Sequence, residues 1–286
     1  MTARGRTKRL LVSRITGAAG ERTVARRPDE LVVEEPMAIQ LDGTRVATTM
    51  RTPGHDYELA VGFCFGDGLL GGAAVTGVRY CADGSAVESE FNVVTVQTGG
   101  LAPPATPRLG NVSSSCGWCG SEQLDEMCER LAPLPAPASI DLDLVAAVPG
   151  RVLDAQPLFS ATGAVHAAAA FDAGGQIVLL REDVGRHNAV DKVVGALLLG
   201  SVGTDRTPGD LPGRGLGLSV SGRASIEMVQ KAWAAGFHTL VAVSAPTSLA
   251  VDAARRANLV LAGFVRDGEF NVYSPERVPP SATSSP

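Results

Sequence analysis

The sequence has few of the features that mark membrane, exported or disulfide-stabilised proteins. No apolar run in its 286 residues reaches the ~18 residues that a membrane-spanning helix needs. The run Leu10-Leu11-Val12 is too short for the apolar core of a signal peptide, and Arg26-Arg27 lacks the context of a twin-arginine export signal. The five cysteines, an odd number, indicate thiols rather than a disulfide framework. We therefore expect a cytoplasmic protein that does not enter the membrane.

The composition excludes general disorder and a surface that coats nucleic acid. Hydrophobic residues make up 45% of the chain, enough for a substantial core in one large or two ordinary domains. The formal net charge is -5, whereas surfaces that bind nucleic acid are strongly basic. Residues 1–27 form a basic lead, with eight basic side chains against Glu21. This lead is interpreted as a solvated tail. The alternative is a flexible arm or an edge strand that contacts an acidic partner.

Two cysteines three positions apart, Cys116 and Cys119, lie in a stretch rich in serine and glycine. The next segment, 121–131, has the apolar spacing of an amphipathic helix, with Ser121 as its N-cap. The unpaired N–H groups and the macrodipole at a helix N-terminus favour a thiolate, which lowers a cysteine pKa from ~8.5 towards neutrality. The motif therefore predicts a reactive and accessible sulfur.

A single Cys-x-x-Cys pair fits half of a zinc site, a redox pair, or a nucleophilic thiol that carries a group. Structural zinc usually needs four Cys or His ligands, but Cys64, Cys81 and Cys128 stand alone, and the helical pattern turns Cys128 toward the core. No metal site is predicted. A thioredoxin-type pair follows a strand of a βαβ unit, whereas this motif follows a loop. The neighbouring serines and glycines disfavour two buried structural cysteines.

The chain divides into a basic lead (1–27), a β-rich part that carries the Cys-x-x-Cys loop (28–137), an α/β part (138–274) and a disordered tail (275–286). In the β-rich part, two strands flank Asp42-Gly43, which is a strong hairpin signal. In the α/β part, strands alternate with helices, which implies βαβ units and a parallel or mixed sheet. The predicted fold class is α/β (α+β), a mixed sheet with flanking helices plus an N-terminal β-rich part.

Three polar clusters follow strands of the α/β part, at residues 181–188, 221–225 and 264–269. Open α/β sheets bind ligands at the carboxyl ends of their strands. The strand-to-helix turn at 221–225 offers free N–H groups and the guanidinium of Arg223, which suit a phosphate. Singly, such turns are more often helix caps or hairpin tips; together they favour a nucleotide-like ligand. His166 is interpreted as a core or edge histidine.

Six motifs between Val33 and Tyr273 resemble the FdhD family, the sulfur carriers that serve formate dehydrogenase. They are His55-Asp-Tyr-Glu-Leu-Ala-Val-Gly-Phe, Ser-Ser-Cys116-Gly-Trp-Cys119-Gly, Glu182-Asp-Val-Gly-Arg-His-Asn-Ala-Val-Asp-Lys192, Ser221-Gly-Arg-Ala-Ser, Ala245-Pro-Thr-Ser-Leu-Ala-Val251 and Gly263-Phe-Val-Arg-Asp-Gly-Glu-Phe-Asn-Val-Tyr273. The resemblance implies a fold similar to cytidine deaminases, and a homodimer. Ala164 departs from the family, which tends to have a second Gly after Thr-Gly, and only the local turn is affected.

The resemblance also implies a sulfurtransferase reaction and a ligand. Family members take sulfur from a cysteine desulfurase as a persulfide and pass it to Mo-bis(molybdopterin guanine dinucleotide), the cofactor of formate dehydrogenase. On this basis Cys116 carries the persulfide, and Cys119 assists transfer or reductive release. A guanine nucleotide would mimic the cofactor. The matching cofactor-binding segment consists of Phe264, Val265, Arg266, Asp267, Gly268 and Glu269.

A fold similar to cytidine deaminases raises the alternative of deamination, but this sequence lacks the deaminase motifs. Zinc deaminases need His-x-Glu and Pro-Cys-x-x-Cys, but no His is followed two positions on by Glu, and Ser115 precedes Cys116. A thiol–disulfide redox protein and a non-catalytic molybdenum-cofactor chaperone stay open beside sulfur transfer. The redox protein predicts a reversible Cys116–Cys119 bond. The chaperone predicts nucleotide binding that survives the loss of both thiols.

Overall fold

The described part of the chain folds into two larger β-sheets and a separate two-stranded hairpin, with helices packed on the sheets. The computed structural model describes residues 5–81, 85–87, 89–104, 121–135, 140–200 and 211–277. Cys116, Cys119, the predicted division at residue 137 and the tail from residue 278 lie outside these ranges. The helices within them are too short or too polar to span a bilayer. The predicted fold class, a mixed sheet with flanking helices and an N-terminal β-rich part, is confirmed.

An antiparallel hairpin near the N-terminus extends from the rest of the structure. Its strands are β1 (Thr7–Thr16) and β2 (Thr23–Val32), and most of their side chains are exposed. At its base, the Val33 N–H donates to the Arg6 carbonyl (2.8 Å). The predicted boundary between residues 27 and 28 falls inside β2. The interpretation of residues 1–27 as a solvated tail is wrong, because residues 7–16 and 23–27 lie in paired strands, whereas the alternative of a strand-forming arm agrees with this hairpin.

The β-rich part continues as a four-stranded sheet of β3 (Glu35–Leu41), β4 (Thr44–Arg51), β5 (Gly77–Tyr80) and β6 (Val93–Gln97), in the order β4-β3-β6-β5. Asp42 (φ 46°) and Gly43 (φ 86°) are both left-handed between β3 and β4, as the predicted Asp-Gly hairpin requires. Helix α1 (Asp56–Gly66) buries Leu59 and Phe63 in the core that it shares with this sheet.

The second sheet has six strands, β7 (His166–Phe171), β8 (Ile177–Asp183), β9 (Gly217–Val220), β10 (Thr239–Ala242), β11 (Val260–Arg266) and β12 (Glu269–Ser274). Their order is β12-β11-β10-β9-β7-β8, with β9, β10 and β11 parallel. The accompanying helices are α2 (Ser121–Arg130), α3 (Leu142–Asp154), α4 (Pro157–Thr162), α5 (Arg186–Leu198), α6 (Ile226–Ala235) and α7 (Ser248–Arg256). The predicted alternation of strands and helices is therefore present.

Helices cover both faces of the six-stranded sheet. Ala168 and Ala170 on β7 belong to the core that includes residues of α5, α6 and α7. The intervening residues Ala167 and Ala169 face the opposite core, which contains residues of α3. This alternation is what the period of two in a strand requires when both faces are buried.

Sequence patterning does not predict α3 and α4. Pro149-Gly150 interrupts the pattern of α3, and α4 has only six residues. The Asp141 side chain nevertheless caps α3 by accepting from the Leu144 N–H (2.9 Å). Valines spaced three and four residues apart, at 145, 148 and 152, bury one face of α3. Packing of this face, rather than helix propensity, explains why α3 forms.

Helices α1 and α5 cross at two glycines. A Cβ atom on Gly62 would overlap the Asp191 carbonyl oxygen, and a Cβ atom on Gly195 would overlap the Glu58 carbonyl oxygen. The two backbones therefore approach more closely than residues with side chains would permit. This crossing joins the β-rich part to the six-stranded sheet.

Buried ion pairs strengthen the junction between the two parts. Arg181 on β8 donates to Glu58 on α1 (Nε to Oε2, 2.6 Å). Burial raises the pKa of Glu58, but hydrogen bonds from Arg181 and His55 outweigh it and hold that pKa at about 2. Lys231 on α6 contacts both parts, because its Nζ lies 3.5 Å from Oδ1 of Asp67, at the end of α1, and 2.7 Å from Oδ1 of Asp191 on α5. Removing one member of such a buried pair typically costs about 3–5 kcal/mol.

Candidate functional site

The three polar clusters predicted from the sequence meet at one edge of the six-stranded sheet. Strands β9, β10 and β11 are parallel, and β8 runs in the same direction because β7 is antiparallel to both β8 and β9. The carboxyl ends of these four strands therefore lie at the same edge, where open α/β sheets bind ligands. Each predicted cluster contains or directly follows one of these strand ends.

The predicted cofactor-binding segment forms the tip of the β11–β12 hairpin. Arg266 pairs with Glu269 across a two-residue turn in which Asp267 (φ 54°) and Gly268 (φ 82°) are left-handed. Phe264 interrupts the strand register, and 46% of its surface is exposed. The tip lines an open cleft of about 780 Å³ together with Phe270 and Asn271. Except for Val265, every residue of the predicted segment faces this cleft.

A second cavity, of about 530 Å³, lies between the sheet edge and the helices α3 and α4. Val265, Arg266 and Asp267 line it, so the hairpin tip borders both spaces. The remaining lining is largely apolar, with polar atoms supplied by Gln156, His166, Ser219 and Ser221. The Ser219 hydroxyl is buried and has no hydrogen-bond partner within the described part of the chain. A buried hydroxyl without a partner in a cavity wall is a ready contact for a polar ligand.

The turn after β9 is tied to the loop after β10 by backbone hydrogen bonds. Ala224 donates to the Ala245 carbonyl (3.2 Å) and accepts from the Thr247 N–H (3.0 Å). Gly222 lies beside His166 and Arg186, because a Cβ atom at this glycine would be 3.6 Å from His166 Nδ1 and 3.8 Å from Arg186 Cδ. The turn at 221–225 therefore adjoins the cluster at 181–188, as their placement at strand ends predicts.

Arg223 stands apart from the other predicted ligand residues. Its side chain is exposed, and it is not among the described residues that line either cavity. The predicted contact between Arg223 and a phosphate stays a prediction. The arginine that borders both spaces is Arg266.

The two histidines of this edge are neutral at neutral pH. Burial, followed by the nearby Arg186 cation, lowers the pKa of His166. Burial, Lys231 and Arg186 lower the pKa of His187 to about 3. The positive charge at the site is therefore carried by arginines, which stay protonated throughout the physiological range. His166 is an edge histidine, as interpreted from the sequence, and it also lines the cavity.

Most of the polar groups at 181–188 are engaged in holding the site together. Asp183 accepts hydrogen bonds from Lys192 Nζ (2.6 Å), the Thr52 N–H (3.1 Å), the Gly185 N–H (2.8 Å) and Asn188 Nδ2 (3.0 Å). Glu182 accepts from the first N–H groups of α4, at Leu158 and Phe159. These acids position the strand end and α4, so they are not free to bind a ligand. Sequence reasoning missed this role because Thr52 and Asp183 are 131 residues apart.

The thiol motif itself, Cys116 and Cys119, lies outside the described residues, and its position relative to this edge stays a prediction. The helix predicted to follow it is present as α2, which begins at Ser121. Leu124 and Met127 are buried in the main core, and Cys128 packs against the same core, as the apolar spacing predicted. The helix after the motif is therefore held firmly by the core.

Two thiols outside the motif, Cys64 and Cys81, are held within the fold. Cys64 is completely buried, and burial raises its pKa far above the usual range, so it stays protonated. Cys81 Sγ lies 2.8 Å from the Ser89 hydroxyl. Within the part of the chain that the structure describes, no three His, Cys, Asp or Glu side chains are arranged to hold a metal ion.

Comparison with known proteins places this architecture in one family. The model of the FdhD/NarQ family matches residues 32–279. A sulfur carrier protein FdhD from Anaeromyxobacter dehalogenans (strain 2CP-C) is 46% identical over 269 residues, which cover 90% of this chain and 92% of that protein. The sulfur carrier protein FdhD of Streptomyces avermitilis is 45% identical, with 94% of each chain covered.

A solved structure shares the fold. The crystal structure of a candidate formate dehydrogenase accessory protein from Desulfotalea psychrophila superposes with a TM-score of 0.70 and 25% sequence identity. The match covers 94% of this chain and 99% of that one. Sequence and structure agree, and the chain belongs to the FdhD/NarQ family.

Proposed function

We propose that this protein accepts sulfur from a cysteine desulfurase as a persulfide on Cys116 and delivers it to Mo-bis(molybdopterin guanine dinucleotide), for use by formate dehydrogenase. One observation carries the proposal: the chain belongs to a family whose curated relatives are named sulfur carrier proteins, and it has a Cys-x-x-Cys pair directly before α2. The cytoplasm is the compartment in which this chemistry is expected, because thiols stay reduced there.

Loading requires only a thiolate at position 116. The Cys116 thiolate attacks the outer sulfur of the desulfurase persulfide, a new S–S bond forms on Cys116, and the desulfurase cysteine leaves as a thiolate. No net oxidation takes place, because one S–S bond replaces another. The N-terminus of α2, two residues beyond Cys119, would favour the ionised form of these thiols.

Release as sulfide requires two electrons, and the second cysteine can supply them. The Cys119 thiolate attacks the inner sulfur of the Cys116 persulfide, which forms a Cys116–Cys119 disulfide and releases hydrosulfide to the bound cofactor. A cellular dithiol then reduces the disulfide and restores both thiols. The sequence has a second thiol for this attack three positions after Cys116.

The molybdenum cofactor is the substrate that receives the sulfur. The hairpin tip at 264–269, with its adjoining cleft and cavity, is the proposed site for its guanine dinucleotide portion. Arg266 offers permanent positive charge to phosphates, and the largely apolar cavity walls suit an aromatic base. Family resemblance adds the expectation of a homodimer.

Mass spectrometry tests the sulfur-transfer step. After incubation with a cysteine desulfurase and cysteine, we expect the intact protein to gain the mass of one sulfur atom, localised by peptide mapping to Cys116. The Cys81→Ala variant, which keeps both thiols of the motif, should gain the same mass. A redox protein would instead show a reversible Cys116–Cys119 bond and no added sulfur, and that result would overturn the proposal.

Arg266 should contribute to nucleotide affinity. Replacing Arg266 with alanine is expected to weaken binding of guanosine diphosphate about tenfold or more, because a charge-assisted hydrogen bond is worth roughly 1.5–3 kcal/mol. Isothermal titration calorimetry measures the effect. Arg45→Ala, which removes an equal charge from an exposed position on β4, is the matched control. Equal affinities in the two variants would remove the hairpin tip from the proposed site.

A further inference from the structure

Three exposed apolar side chains share one face of the N-terminal hairpin, on which Arg26 also lies, opposite Ser13. Cross-strand pairing places Ile15 opposite Val24, and Leu11 lies on the same face because it is four residues before Ile15 in β1. These three side chains are 60%, 68% and 58% exposed, respectively. An isolated two-stranded hairpin is marginally stable in water, so a ribbon of ten-residue strands is expected to gain stability from a covering surface.

Charge indicates what covers this face. Residues 1–32 contain eight basic and three acidic side chains, a net charge of +5, and since the whole chain has -5, residues 33–286 have -10. Two hairpins brought together would repel each other. The body of a second copy, in contrast, is acidic and attracts the basic hairpin.

The dimensions of the hairpin are adequate for a stable dimer. Its strands are roughly 34 Å long, and the two-stranded ribbon is roughly 10 Å wide, so one face covers about 340 Å². When each hairpin of a symmetric pair covers an equal area on the other body, the total buried surface is about 1,400 Å². Stable specific interfaces bury about 1,200–2,000 Å².

We infer that the N-terminal hairpin is an exchanged arm: each copy lays the face of Leu11, Ile15 and Val24 on the acidic body of a second copy. Homodimerisation is expected from family resemblance, but that expectation does not say which surface forms the interface. The base of the arm lies at the candidate site, since Arg6 Nη2 donates to the Glu182 carbonyl (3.2 Å) and the Glu182 carboxylate caps α4. The arm of a dimer would therefore be anchored beside the wall of the cavity.

Two substitutions of equal charge on opposite faces of β1 test the inference. Ile15→Asp places a carboxylate on the proposed contact face, and Leu10→Asp places one on the other face, which the alternation of the strand turns away. We expect the dissociation constant of the dimer, measured by sedimentation equilibrium, to rise at least tenfold for Ile15→Asp and by less than threefold for Leu10→Asp. Circular dichroism verifies that both variants are folded.

Cross-linking identifies the surface that the arm covers. p-Benzoylphenylalanine in place of Ile15 is irradiated in an equal mixture of heavy- and light-isotope protein. The inference predicts cross-linked peptides of mixed isotope that join position 15 to a residue beyond 33. A monomer at all concentrations, equal effects of the two aspartates, cross-links within one chain only, or cross-links between two arms would each overturn it.

Discussion

Formate dehydrogenase activity is expected to fall to background when Cys116 is replaced with alanine, in cells that lack the native protein. Alanine has no sulfur to attack a persulfide or to retain one, so the chain of transfer ends at the desulfurase. Cys64 cannot replace it, because that thiol is sealed in the core. Activity per amount of formate dehydrogenase protein is the measurement.

Two further variants make this experiment decisive. Cys81→Ala removes a thiol outside the motif and should retain activity. Cys119→Ala should still be loaded with sulfur by the desulfurase but should release it slowly, so that the persulfide form accumulates in the intact-mass spectrum. If Cys116→Ala supports full activity at normal protein levels, Cys116 does not carry the sulfur.

Gly62→Ala is expected to destabilise the fold by about 3 kcal/mol or more. The added methyl group would overlap the Asp191 carbonyl oxygen, and a backbone atom cannot move aside as a flexible side chain can. Helices α1 and α5 would have to separate, and separation would also disturb the buried ion pair between Arg181 and Glu58. Denaturant unfolding, monitored by circular dichroism, measures the change in the free energy of unfolding.

Gly150→Ala is the matched control for this substitution. Gly150 also lies within a helix, α3, but a Cβ atom there would meet no other atom within 4 Å. Alanine is a better helix former than glycine by roughly 0.5–1 kcal/mol, so this variant should be unchanged or slightly more stable. If both variants lose a similar free energy of unfolding, the α1–α5 crossing can relax around an added methyl group, and the close contact at Gly62 does not limit stability.

Local patterns in the sequence predicted the structure correctly at positions where a single physical requirement dominates. Asp42-Gly43 predicted a hairpin because its two left-handed conformations suit few other pairs. Apolar spacing after Gly120 predicted helix α2 and the inward direction of Cys128. The strand ends of the α/β part predicted one ligand edge, since parallel strands bring their carboxyl ends together.

The features that the sequence patterns did not predict depend on contacts between residues far apart in the chain. The cluster at 181–188 looked like a ligand site, yet Glu182 and Asp183 bond to the N-terminus of α4 and to Thr52. Helix α3 forms because its valines meet the sheet, although proline and glycine interrupt its pattern. The strand-to-helix turn predicted Arg223 as a phosphate contact, whereas the arginine that the path of β11 places between the two cavities is Arg266. The chemistry at Cys116 is still a prediction.

The glycine crossing and its ion pairs also restrict how this family can diversify. A chimera that takes its β-rich part from one relative and its α/β part from another would have to match Gly62 with Gly195, and Glu58 with Arg181, at the same time. Any mismatch would create a steric overlap or leave a charge buried without its counter-ion. The two parts are therefore expected to be inherited as a unit, and substitutions on α1 should be tolerated only when α5 and β8 change with them.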